Sequence, residues 1–111
     1  TLLDGSGGKI IIGSNCSISA GVHIYTHDTV LWALSGGLKS KKFGPVNIGD
    51  CCYIGSQSVI RMGVTIDSQS VIAANSFVSS NVEKFSIVAG TPAKKIGRVE
   101  LNNDEVELKY D

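Results

Sequence analysis

Few side chains in this chain of 111 residues are equipped for covalent or proton-transfer chemistry. His23 and His27 are its two histidines, and Cys16, Cys51 and Cys52 its three cysteines. An imidazole titrates near neutrality, so it can take a proton from a hydroxyl or an amine that must act as a nucleophile. His27 lies in Tyr25-Thr26-His27-Asp28, directly before an irregular polar stretch, and is the candidate general base. His23 follows Val22 and is expected to face outward as an ordinary surface histidine. A zinc enzyme built on three histidines is a rival that this chain, with two, does not fit, and the cysteines lack zinc-type spacing, so no metal is expected. Zinc analysis of the purified protein separates the two readings. Cys51 has no histidine fixed beside it in sequence, which argues against a cysteine nucleophile. Free thiols point to a reducing compartment, with the cytoplasm as default.

Composition narrows the classes further. The chain is 42% hydrophobic and 18% charged with zero formal net charge, which fits one globular domain. There is no apolar run long enough to span a membrane and no signal-peptide pattern. A wholesale nucleic-acid binder should carry a basic surplus that is missing here. Charge is nonetheless uneven: Glu100, Asp104, Glu105, Glu107 and Asp111 face only Lys109 in the last stretch. The body before them is mildly basic, which suits an anionic small ligand or a simple solvated surface. The chain begins at Thr1 and enters a pattern almost at once, which reads as a piece of a longer protein.

That pattern is a repeat of six. Ile12, Ile18, Ile24, Ile48, Ile54, Ile60, Ile66, Ile72 and Val78 keep one phase. Four residues after them come small or thin side chains, Cys16, Val22, Cys52, Ser58, Val64, Ser70, Ser76 and Val82, and only Asp28, after Ile24, breaks that column. On a helix, six steps of about 100° would scatter the isoleucines over three faces. On strands an even period points them all the same way. A period of six with a turn in each repeat is the pattern of a hexapeptide β-helix, in which three repeats close one triangular coil. The expected fold is therefore all-β, a parallel β-helix with about 18 residues per coil. Residues 29–45 interrupt the repeat and read as a protruding loop carrying Trp32, Leu31 and Leu34, an apolar group suited to subunit packing. The β-helix domain is expected over residues 1–98 and an acidic tail over 99–111. Alternating Val99, Leu101, Val106 and Leu108 leave hairpin and helix both open for that tail.

Three blocks carry a family resemblance: Tyr25-Thr26-His27-Asp28, the stretch from Pro45 to Ser56, and the stretch from Ser86 to Ile96 around Ala89-Gly90-Thr91-Pro92. Together they resemble the hexapeptide-repeat acyltransferases, most of all the maltose, galactoside and polysaccharide O-acetyltransferases. The resemblance implies a left-handed β-helix and a homotrimer with sites between subunits. It implies transfer of acetyl from acetyl-CoA to a sugar or glycan hydroxyl, by direct attack within a ternary complex, with His27 as the base. It places Tyr53 where the family usually has Trp, Ser56 and Ala74 along the pantetheine arm, and Ser79, Ser80, Lys94 and Lys95 near the nucleotide end of coenzyme A. The chain departs from the family at Ser79-Ser80, where many relatives have Thr-Lys, and at Gly97, where arginine is frequent. On the resemblance, the N-terminal acceptor-binding region of many relatives is expected to lie outside this stretch of sequence. An amine acceptor would use the same base, so N-acetylation is the alternative, and a non-catalytic solenoid is the other. An ice-binding face would need a threonine ladder that Thr26, Thr29, Thr65 and Thr91 do not form.

Overall fold

The computed structural model describes residues 1–111 as four turns of chain followed by a hairpin. The first turn comprises β1 (Leu2–Asp4), β2 (Ile10–Ile12) and β3 (Ser17–Ile18). In the second, β4 (His23–Tyr25) leads into an excursion made of β5 (His27–Asp28), α1 (Val30–Leu34) and β6 (Lys42–Phe43), before β7 (Val46–Ile48) and β8 (Tyr53–Ile54). The third contains β9 (Val59–Ile60), β10 (Thr65–Ile66) and β11 (Val71–Ile72). The fourth contains β12 (Phe77–Val78) and β13 (Ser86–Gly90), and the chain ends in β14 (Ala93–Asn102) and β15 (Glu105–Tyr110).

From β1 to β12, leaving aside β5 and β6, successive strands go to three different sheets in fixed rotation, and each pairs in parallel with its counterpart one turn away. Face A is β1-β4-β9-β12, face B is β2-β7-β10, and face C begins β3-β8-β11-β13. Tyr53 pairs with Val71, and Val59 with Phe77, so a regular turn takes eighteen residues, as the hexapeptide period requires. This all-β arrangement of mostly parallel sheets is consistent with the expected β-helix.

The repeat columns form the core. Ile24, Ile54, Ile60, Ile66 and Ile72 are completely buried, and Ile48 and Val78 nearly so. Burying one such side chain contributes about 1.5–3 kcal/mol. Ile12 and Ile18, in the first turn, are half-buried. The small column turns the corners: Ser58 and Ser76 both donate to the Ala73 carbonyl, and Ser70 donates to the Glu83 carbonyl, so their hydroxyls enter the core without an orphaned proton. Val82 departs from its expected place in that column. It bridges to Ile66 and so fills the aliphatic position of face B in a shortened last turn.

Tight stacking explains the glycines after the aliphatic residues. A Cβ on Gly55 would lie 2.5 Å from the amide nitrogen of Ala74 in the next turn. Asn15, Cys51, Gln57, Gln69 and Asn75 take left-handed backbone at the corners, and the amides of the last four bond to carbonyls of the preceding turn.

Two open expectations are resolved. The interrupting segment projects, but it is closed at its base, where β5 pairs antiparallel with β6 around the short helix. The last residues form a hairpin: β14 adds antiparallel to β13, and β15 returns along β14 through a turn at Asn103. β14 runs without a break through residue 98, so the expected boundary there falls inside a strand. No helix is long and apolar enough to cross a membrane.

Candidate active site

His27 sits on β5, where the chain turns from face A toward face B. The corner beneath it belongs to the first turn and is irregular: Leu2 pairs with His23, twenty-one residues away rather than eighteen. The three additional residues are taken up in the stretch Gly5-Ser6-Gly7-Gly8, which brings Asp4 and Ser6 to the imidazole. His27 Nδ1 lies 3.2 Å from Ser6 Oγ and 3.9 Å from Asp4 Oδ2. Ser6 in turn donates to Asp4 Oδ1 twice, from its hydroxyl at 2.7 Å and its backbone N–H at 3.1 Å. Those bonds, the hydroxyl's first and the amide's next, hold the Asp4 carboxyl below the usual range, with His27 and His23 adding a smaller attraction.

Below the imidazole, Thr26 is fully buried and ties the two turns together. Its hydroxyl donates to the Asp4 carbonyl at 2.8 Å and accepts from Gly7 N–H at 3.1 Å. Phe43, opposite His27 in the β5–β6 pair, tilts its ring 6.5 Å from the imidazole. About a quarter of the His27 side chain stays exposed, enough to meet a substrate from solvent. His23 is half-buried on β4 and packs edge-on against Tyr25.

The other candidate residues fall into two groups away from this corner. Tyr53 is exposed on face C, and Ser56 and Ala74 follow on the corner between faces C and A. The Ser56 carbonyl accepts from Asn75 N–H at 2.9 Å, so Ser56 and Ala74 are neighbours in adjacent turns. Ser79 and Ser80 leave β12, while Lys94 and Lys95 lie exposed on β14 beside Ala89 and Val88. Ser80 and Lys95 line one cavity of about 240 Å³, together with Glu83 and Ser86. That cavity is at the end of the stack where the hairpin begins, two turns from His27. One chain by itself thus places the imidazole and the cavity apart.

Cys52 is buried, and burial pushes its thiol up, which removes it as a nucleophile. Cys16 is half-buried, its Sγ 3.0 Å from the Gly49 carbonyl, and Cys51 is exposed on a left-handed corner. No group of three His, Cys, Asp or Glu side chains is gathered as a metal site would need. Asp4 and Ser6 are not among the residues singled out from sequence. The signal that marks them is the Gly5–Gly8 stretch, which breaks the six-residue phase just before Ile12.

The family described as the hexapeptide repeat of succinyl-transferase matches residues 9–26 and 45–80, leaving out the excursion that follows Thr26. Chloramphenicol acetyltransferase of Klebsiella aerogenes is 32% identical over 121 aligned positions, covering 90% of this chain and 56% of that protein. A hexapeptide-repeat-containing acetyltransferase of Vibrio cholerae, solved with acetyl coenzyme A, superposes with a TM-score of 0.76 at 34% identity, over 83% of this chain and 50% of the other. A maltose O-acetyltransferase from Clostridium difficile superposes with a TM-score of 0.72 at 32% identity, over 83% and 49%. The chain thus carries the hexapeptide repeat and is similar in sequence and fold to hexapeptide-repeat acetyltransferases. It spans about half the length of the curated relatives it matches first.

Proposed function

We propose that this chain carries the acyl-transfer site of an acetyl-CoA-dependent O-acetyltransferase acting on a sugar or glycan hydroxyl, built on a left-handed β-helix. The observation that carries the reading is the setting of His27: a part-exposed imidazole gripped from one side by Asp4 and Ser6, at the foot of a projecting excursion. The similarity to acetyltransferases, one solved with acetyl coenzyme A, supplies the acyl donor.

In this reading His27 takes the proton of the acceptor hydroxyl as its oxygen bonds to the thioester carbonyl carbon. The tetrahedral adduct then expels the coenzyme A sulfur, which takes the proton from the imidazolium. Tyr53, Ser56 and Ala74 would flank the pantetheine arm. Ser79, Ser80, Lys94 and Lys95 would meet the nucleotide, with lysine as a compact charge for phosphate. Because His27 and these residues occupy different corners of one chain, the complete site is proposed to form between subunits of a homotrimer with cyclic symmetry. Light scattering that finds a monomer at micromolar concentration contradicts that assembly. The free thiols fit a reducing compartment, and the cytoplasm is proposed.

His27→Ala tests the reading. The variant is expected to melt as wild type does and to bind coenzyme A unchanged, while turnover falls by on the order of 10²–10⁴-fold. A panel of sugar hydroxyl and amine acceptors finds the substrate and separates O- from N-transfer. Full activity of His27→Ala on an acceptor that wild type acetylates removes His27 as the base.

A further inference from the structure

The hydrogen atoms around His27 can be counted. An ionised carboxylate only accepts hydrogen bonds, and a serine hydroxyl has one proton to give. Ser6 places that proton on Asp4 Oδ1 at 2.7 Å, the shorter of the two side-chain contacts its oxygen makes. Toward His27, at 3.2 Å, the same oxygen can therefore only accept, and Nδ1 must be the donor. A second contact points the same way: the other Asp4 oxygen is 3.9 Å from Nδ1, where a negative charge favours a protonated nitrogen. The remaining charged groups nearby, Asp28 and Lys42, sit opposite each other in the β5–β6 pair. Asp28 Oδ1 is itself engaged by the Val30 amide at 3.2 Å.

We propose that Asp4, acting through Ser6, holds the neutral His27 ring with its proton on Nδ1 and its lone pair on Nε2, so that Nε2 is the nitrogen presented to substrate. Asp4 and Ser6 are positioning residues, and they stabilise the ring's positive charge when Nε2 is protonated. The role in turnover rests on His27 being the base, whereas the tautomer does not.

The two are separated by measuring both. In the full chain labelled with 15N, above the imidazole titration, the His27 nitrogens are expected to report Nδ1–H, with His23→Gln assigning the pair. The Nδ1–H share should fall in Ser6→Ala and further in Asp4→Asn, and Ser6→Thr, which keeps the hydroxyl, should restore it. Turnover should fall roughly 10–100-fold in Ser6→Ala with KM for acetyl-CoA unchanged, as when a partner that orients a functional histidine is removed. A wild-type ring protonated on Nε2, or a tautomer unaltered in both Ser6→Ala and Asp4→Asn, overturns the proposal. Unchanged turnover in Ser6→Ala while His27→Ala is dead overturns the positioning role. An active His27→Ala instead defeats the choice of base and leaves the tautomer to the nitrogen shifts alone.

Discussion

A Cβ on Gly7 would stand 2.5 Å from the Cβ of His27, with the Phe43 ring at 2.7 Å and the Thr26 carbonyl oxygen at 2.8 Å. Three neighbours from the second turn thus close on one hydrogen atom, and the placement of His27 depends on that position staying bare. Gly7→Ala is expected to displace the β5 corner at a cost of about 1–3 kcal/mol. A shift of about 1 Å in a reacting group can cost 100-fold in rate. Turnover should therefore fall much further than the melting temperature implies. Wild-type turnover in a folded Gly7→Ala chain would show that the corner does not set the imidazole.

The aliphatic columns lead to a prediction about stability alone. Ile66 is completely buried, whereas Val106 on β15 is two-thirds exposed. Ile66→Asp puts a carboxylate into a dry stack with no partner, on the order of several kcal/mol, enough to abolish cooperative folding. Val106→Asp should alter stability by no more than about 0.5 kcal/mol. Thermal melts of the two variants check this, and similar melting temperatures would contradict the assignment of Ile66 to the interior.

The adjacent cysteines should behave oppositely toward alkylation. Cys51 is exposed and Cys52 buried, its Sγ 3.2 Å from the Asp67 carbonyl. A neutral maleimide should label Cys51 in the native protein and reach Cys52 only after unfolding, as read by peptide mass spectrometry. Folding raises the Cys52 pKa, chiefly through burial. Its contribution to stability is therefore complete below the unfolded thiol value of about 8.5, and is lost as pH rises through the higher folded value.

Asp4 shows the reverse sign. Its pKa is lowered first by the Ser6 hydroxyl and then by the Ser6 amide. Stability from such a carboxylate is present above the unfolded value of about 3.9 and disappears as pH falls through the lower folded value. A carboxyl-carbon NMR titration should place the Asp4 midpoint below about 3.9, and Ser6→Ala should bring it back up. A wild-type midpoint at or above about 3.9 would mean that Ser6 is not bonded to Asp4 in solution.

Much of the fold was legible because it is periodic. An even spacing of six puts every column isoleucine on the same side of its strand, and that follows from strand geometry without knowledge of neighbours. His27 was legible for a similar reason, since its chemistry belongs to the residue type and its place to the edge of the repeat. The hairpin was not. Val99, Leu101, Val106 and Leu108 satisfy two periods over so short a stretch, and the choice is made by β13, whose open edge β14 joins.

The excursion shows where local reading stops. Ile24 and Ile48 share the six-residue phase across the interrupting segment, and phase alone would allow several sides of a coil between them. The structure puts them on neighbouring faces with the excursion expelled, because Ile10–Ile12 of the first turn pairs with Val46–Ile48. From sequence alone came the period, the inward columns, the interrupting segment and the imidazole suited to proton transfer. Only the tertiary structure brought Asp4 and Ser6 to His27, across twenty-one residues or more. That contact depends on how one turn of chain stacks on the next, and the irregular corner at Gly5–Gly8 offsets the stacking in a way no spacing within either segment records.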